Sequence, residues 1–241
     1  MTDYTVEKLD LSGKGLTELP DLSLYTNLKV LICMNNKLTR IDNLPNTLEK
    51  LSCSFNKITN LDNLPYGLIY LYCSDNILTT LDNLPLNLEY LNCSNNKITN
   101  LDNLPNGLKQ LYCGLNQLTH LDNLPNTLKS LACNNNQLRT LDCLPNTLTY
   151  LQCCSNNLTH LDNLPVQLNI LICNGNQLES LDNIPNTITS LECSRNKLTH
   201  LDNLPNGLKV LICDGNPLIY EFKPILENIR NYIKSKIEVE I

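Results

Sequence analysis

Tryptophan is absent from this chain, and basic charge is scarce: 18 Lys and Arg stand against 24 Asp and Glu, for a net charge of −6 and a pI near 5.0. Nucleic-acid binders carry a basic stripe that neutralises phosphates. None occurs here, so nucleic acid is not an expected partner, and an anionic membrane surface is disfavoured for the same reason. No run approaches the ~18 consecutive apolar residues of a transmembrane helix. The opening MTDYTVEKLDL lacks the basic start and apolar run of an export signal. The twelve cysteines are therefore expected to stay mostly reduced, in the cytoplasm of the producing or host cell. Nothing matches a catalytic triad, a phosphate-binding glycine loop or a dinucleotide turn, so the expectation is a non-enzyme without cofactors.

What is present is one phrase, returning every twenty residues. Leucine holds each step from Leu31 to Leu211, cysteine from Cys33 to Cys213 and asparagine from Asn36 to Asn216. Leu or Ile holds Leu28 to Leu208, Leu38 to Leu218, Ile41 to Leu201 and Leu44 to Leu204; Asp42 to Asp202 and Pro45 to Pro205 complete the set. Written out, the phrase is LxxLxCxxNxLTxLDNLPxx. It resembles the leucine-rich repeat, whose core is LxxLxLxxNxL, with cysteine in the third leucine slot. The resemblance covers roughly residues 6–220. The repeat length and the LPxxLxxL run are similar to the short subclass of secreted bacterial effectors, although LDNLP stands where that subclass has LPxLP. The Asn-rich and Cys-rich wording also resembles repeat proteins of giant amoebal viruses. What the resemblance implies is a leucine-rich-repeat solenoid of short parallel strands that binds another protein. Bacterial effectors of this type often add a ubiquitin-ligase domain. Only 25 residues follow Asn216, so that activity is not expected, and Cys213-Asp214 is read as part of the repeat.

Elementary geometry leads to the same shape. In KQLYC, residues 109–113, alternate side chains face opposite ways, sending Leu111 and Cys113 inward and Gln110 and Tyr112 outward. A single coil cannot bury its own leucines, but stacked coils bury them against one another. Eleven strand units, spaced ~4.8 Å apart, make a body ~50 Å long. A buried asparagine amide both donates and accepts, and is expected to bridge backbone groups of its own coil and the next. The LDNLPN stretch is expected to be extended with at most a short 3₁₀ turn, since proline fixes φ and disfavours helix before it.

Three divisions are expected: a capping repeat over 1–30, twenty-residue repeats over 31–220, and a capping helix and tail over 221–241. Pro224 can open that helix at its first position, and Ile225, Leu226, Ile229, Tyr232 and Ile233 fall on one stripe. An open solenoid end needs cover, which favours capping over a partner-binding or membrane-surface helix.

The columns of reactive residues have plain readings. Tetrahedral zinc needs four ligands converging on a point, whereas the cysteines form a line facing leucine. They read as small buried hydrophobes, with Cys143 and Cys154, which lie off that register, as the accessible thiols. The nine aspartates of the Asp42 column are expected to accept bonds from the turn that follows each of them. One carboxylate per coil falls short of calcium's six to eight oxygens. His120, His160 and His200 share a solvated turn slot, two coils apart, so no metal is expected.

The outward strand positions carry the candidate site. Tyr70, Tyr72, Tyr90 and Tyr112 cluster over adjacent coils, with Phe55 nearby and Tyr150 further along. Tyrosine, a rigid ring with a hydrogen-bonding tip, is enriched at interfaces. The expectation is a non-catalytic module binding another protein along the concave sheet face. Self-association of a structural or assembly protein, through Ile170/Ile172 and Val210/Ile212, is the alternative.

Overall fold

The structure, a computed structural model, describes residues 4–239. Three-residue strands recur once per coil and pair, all parallel and in chain order, into one eleven-stranded sheet. They are β1 Lys8–Asp10, β2 Val30–Ile32, β3 Lys50–Ser52, β4 Tyr70–Tyr72, β5 Tyr90–Asn92, β6 Gln110–Tyr112, β7 Ser130–Ala132, β8 Tyr150–Gln152, β9 Ile170–Ile172, β10 Ser190–Glu192 and β11 Val210–Ile212. The central leucines pair from Leu9 to Leu31 to Leu51 and onward to Leu211. Register is firmly set, because a slip of one residue would turn every inward column out to solvent.

One core runs through the stack. Leu28, Leu31, Cys33 and Leu38 have no exposed surface, and their equivalents repeat that burial in successive coils. Fully burying one leucine stabilises by ~1.5–3 kcal/mol, and here nearly all of that depends on the coils above and below. The backbone ladder continues past each strand, with Cys33 N donating to Ser52 O at 2.8 Å and Asn35 N to Ser54 O at 3.0 Å.

The asparagine column does what its chemistry allows, with one difference of direction. The Asn116 amide donates to Cys113 O at 3.0 Å and Gly114 O at 3.2 Å in its own coil, and to Cys93 O at 3.1 Å in the coil before. Its Oδ1 accepts from Ile98 N at 3.0 Å, again in the preceding coil. The bridge therefore runs backward along the chain, to the coil already laid down, and each asparagine follows a left-handed residue (φ 55° at Leu115, 56° at Asn35).

Opposite the sheet the chain is extended and turned. Leu48 N donates to Pro45 O at 3.1 Å, and the same three-residue turn recurs up to Leu208 N and Pro205 O at 3.1 Å. The aspartate column differs from expectation. Its carboxylates face side chains more than following-turn amides: Asp102, Asp142 and Asp182 meet His120, His160 and His200 of the next coil at 3.3, 3.4 and 3.5 Å. Asp202 accepts from Tyr220 OH at 2.7 Å. The twenty-residue step places the two columns side by side.

At the end lies α1, Leu226–Val239, the single helix among the described residues. It starts two residues after Pro224, since Ile225 O already accepts from Ile229 N at 3.0 Å and so serves as the cap. Ile225 is consequently exposed and off the stripe, while Ile229 is fully buried and Leu226 and Ile233 pack partly against the core. Arg230 Nη2 donates to Asn206 O and Leu208 O at 2.9 Å, supplying partners that a further coil would otherwise provide.

Candidate binding face

Each strand turns its first and third residues away from the core, so the sheet displays two columns of side chains. On β4, β5 and β6 these columns hold four tyrosines. Their rings form a continuous row: Tyr72 to Tyr90 is 4.6 Å between centroids, Tyr90 to Tyr112 is 5.4 Å, and Tyr70 to Tyr90 is 6.4 Å. The rings are tilted against each other by 31–42°, a favourable arrangement for aromatic quadrupoles. Lys50 Nζ lies 4.8 Å over the Tyr72 ring. Burial, with neighbouring phenols adding to it, pushes the Tyr90 hydroxyl up to about 12 and raises Tyr72 in the same direction. Tyr72 and Tyr90 therefore present neutral hydrogen-bonding phenols.

The other candidates sit differently. Tyr150, half-buried on β8, donates to Gln152 Oε1 at 3.1 Å. Phe55 makes no ring contact with the tyrosines among the described residues; it stands 53% exposed on the turn after β3, beside Met34 and Asn35. It is also left-handed, φ 57°. Leu115, on the turn after β6, shares that conformation at φ 55° and is 50% exposed. The sequence reading passed over Leu115. Its signal is readable in hindsight: the slot otherwise holds Asn, Asp, Ser, Gly or Arg, types suited to a left-handed turn or a solvated rim, so Phe and Leu break a local rule. Ile170 and Ile172 are half-buried, whereas Val210 and Ile212 are 45% and 41% exposed. Ser52 and Ala132 face outward yet are buried, being too short to rise above their neighbours.

The remaining columns look away from chemistry. All ten register cysteines are buried free thiols, Cys143 is exposed and Cys154 intermediate. Burial pushes the Cys33, Cys93 and Cys133 thiols up to about 12, against reactivity. Thr119 Oγ1 sits 3.2 Å from His120 Nδ1, but the His120–Asp102 pair is about 40% exposed, and such surface pairs contribute ~0–1 kcal/mol. Among the described residues no group of three or more His, Cys, Asp or Glu side chains is placed to hold a metal ion.

Known proteins share this geometry. A family described as Leucine Rich repeats (2 copies) matches residues 26–66. YopM from Yersinia enterocolitica superposes with a TM-score of 0.71 at 33% identity over 85% of this chain. YopM from Yersinia pestis, a leucine-rich effector protein, gives 0.74 at 32% identity over 87%. The chain is a leucine-rich-repeat protein. Its repeats are ~20 residues long. A third relative, the functional domain of InlJ from Listeria monocytogenes, gives 0.69 at 32% identity over 90% of this leucine-rich-repeat chain and is described as including a cysteine ladder. The buried Cys33-to-Cys213 column is the corresponding feature here. The chain spans 50%, 66% and 55% of the length of these three proteins. No curated protein matches it. Leucine-rich-repeat relatives are protein-interaction modules, which supports a general protein-binding role.

Proposed function

We propose that this chain is a non-catalytic, cytoplasmic module that binds another protein on its sheet face. Tyr70, Tyr72, Tyr90 and Tyr112 are the anchors, with Tyr150 and Phe55 at the margins. Residues 1–30 and 221–241 act as its end caps. The observation that carries this reading is the row of rings through Tyr72, Tyr90 and Tyr112, spaced 4.6 and 5.4 Å apart, with only small or amide side chains at the other outward positions of β5 to β7. Such a row offers a large rigid contact at little conformational cost. Affinity capture from cell lysate tests it, comparing wild type with Tyr70→Ala/Tyr72→Ala/Tyr112→Ala. The variant is expected to lose a specific partner that wild type retains; equal capture by both removes the tyrosines from the account.

A second reading, self-association, has one observation in its favour. Val210 and Ile212 on β11 are 45% and 41% exposed, an apolar pair at the last strand of the sheet. Sedimentation over a wide concentration range is expected to show a dimer under this reading, and a strict monomer discards it.

A further inference from the structure

We infer that the face of β4 to β8 is built for an uncharged, proline-rich segment in the polyproline II conformation, an inference that rests on the protein-binding reading above. Three observations converge on that ligand.

The first is charge. From β4 through β8 every outward strand position is Tyr, Asn, Gln, Ser or Ala; the charged outward residues Lys8, Asp10, Lys50 and Glu192 lie on β1, β3 and β10. Apart from Lys50 at its edge, over the Tyr72 ring, these strand positions offer a charged ligand no counter-ion for the hydration it would surrender.

The second is hydrogen-bond polarity. Three side-chain amides stand among the rings, and in each the oxygen already accepts one hydrogen bond. Asn92 Oδ1 accepts from Ser94 N at 3.1 Å, Gln110 Oε1 from Tyr112 OH at 3.4 Å, and Gln152 Oε1 from Tyr150 OH at 3.1 Å. Their NH₂ groups have no protein partner among the described residues. The amides thus offer free donors, while each oxygen keeps one lone pair beside the bond it already makes. An ordinary extended peptide brings an N–H for every carbonyl, and its N–H groups would compete for those partly used oxygens. A proline-rich segment has carbonyl acceptors and few N–H donors, and its backbone makes no internal hydrogen bonds.

The third is spacing. Tyr72 and Tyr112 occupy the same column two strands apart, ~9.6 Å at the usual strand separation. One turn of polyproline II is three residues, ~9.3 Å. A ligand lying along the solenoid axis therefore meets an equivalent ring once per turn, with the Tyr90 ring between.

The test uses the whole chain and a labelled twelve-residue peptide of repeated Pro-Pro-Ala. Comparison peptides have every proline replaced by glycine, or the alanines replaced by glutamate or lysine. Fluorescence anisotropy is expected to show saturable binding of the neutral proline peptide, equal at low and high salt, and little binding of the other three. Tyr72→Ala/Tyr112→Ala is expected to weaken it at least about tenfold. Gln110→Leu, which keeps all four tyrosines but removes a free amide donor and the acceptor of the Tyr112 hydroxyl, is expected to weaken it several-fold. Tyr66→Ala, a 72% exposed tyrosine on the turn opposite the sheet, is expected to change nothing. Absence of saturable binding, equal binding of the glycine peptide, or preference for a charged peptide overturns the inference. If the peptide fails while the triple tyrosine variant still loses a lysate partner, the proline inference falls and the binding face stands. If neither responds, both fall.

Discussion

At the scale of single residues, two neighbouring slots play opposite parts. Asn116 ties two coils together, and Leu115 beside it is held against its own preference. Replacing Asn116 by Leu removes three donated bonds and one accepted bond; the three carbonyls keep second donors in Asn95 N, Asn96 Nδ2 and Asn136 Nδ2, but the buried Ile98 N–H is orphaned. Each orphaned group costs ~1–3 kcal/mol. Asn116→Leu is therefore expected to lower stability by at least ~2 kcal/mol in urea unfolding, with faster amide exchange confined to the coils of Cys93 and Cys113; a change below ~0.5 kcal/mol would contradict the bridging role. Leu115 runs the other way. A left-handed L-residue costs ~1–2 kcal/mol, least for Asn, and half of this leucine's surface is open to water, so burial returns little. Leu115→Asn is expected to raise the urea midpoint by up to ~1 kcal/mol of stability. Under the binding reading the same variant also weakens partner capture, which separates a retained functional residue from a packing residue. A drop in stability would show that Leu115 supports the fold. The asparagine column was legible in the sequence because burial forces one residue type at each coil. Leu115 was not, because periodicity highlights the positions that agree and hides a single exception.

At the scale of elements, the strands were readable and the helix start was not. Each strand centre was marked by its leucine and cysteine, and the paired register follows the letters from Leu9 to Leu211. The helix start depended on one local competition, between Pro224 as first residue and Ile225 as cap, which no repeat position reports on. Arg230 was missed altogether, because its partners Pro205, Asn206 and Leu208 lie more than twenty residues earlier and are carbonyls, which the sequence does not distinguish. Its role follows from the open end: carbonyls that inner coils satisfy through the next coil, as Thr127 Oγ1 does for Asn106 O and Leu108 O, meet a guanidinium instead. Ile229 supplies the apolar half of the same cap and is fully buried. Ile229→Ala is expected to cost ~2–5 kcal/mol. In a stack stabilised by nearest neighbours the loss should stay local. Hydrogen exchange is expected to speed up for residues 201–218 and remain unchanged around β4 to β6. Uniform acceleration along the chain would mean that α1 steadies more than the last coil.

At the scale of the whole molecule, the cysteine column turns many small shifts into one large dependence on pH. An ordinary thiol loses its proton near 9, while burial pushes Cys33, Cys93 and Cys133 up to about 12 and Cys213 up to about 11, and raises Cys53, Cys73, Cys113, Cys153 and Cys173 well above the ordinary value. The unfolded chain therefore releases protons above pH 9 that the folded chain keeps. Stability is whole below pH 9 and falls as pH rises toward 12. Each thiol contributes a slope of roughly 1.4 kcal/mol per pH unit in that window. Several acting together exceed the ~5–15 kcal/mol that holds a typical domain within about one to two units. With reductant present, far-UV circular dichroism is expected to show cooperative unfolding near pH 10, steeper than a protein of similar size with exposed thiols. Cys73→Ala/Cys93→Ala/Cys113→Ala is expected to lower stability at pH 7, through small cavities, and to flatten its decline above pH 9. Native signal persisting through pH 11, or an unchanged slope in the triple variant, would mean that the folded state admits thiolates or water into the column. Nothing outside the chain is needed to foresee this, since the column's neighbours are its own copies. The tyrosine row differs in that its complement lies in another molecule, which is why the sequence marks its position and leaves its ligand to chemistry at the face.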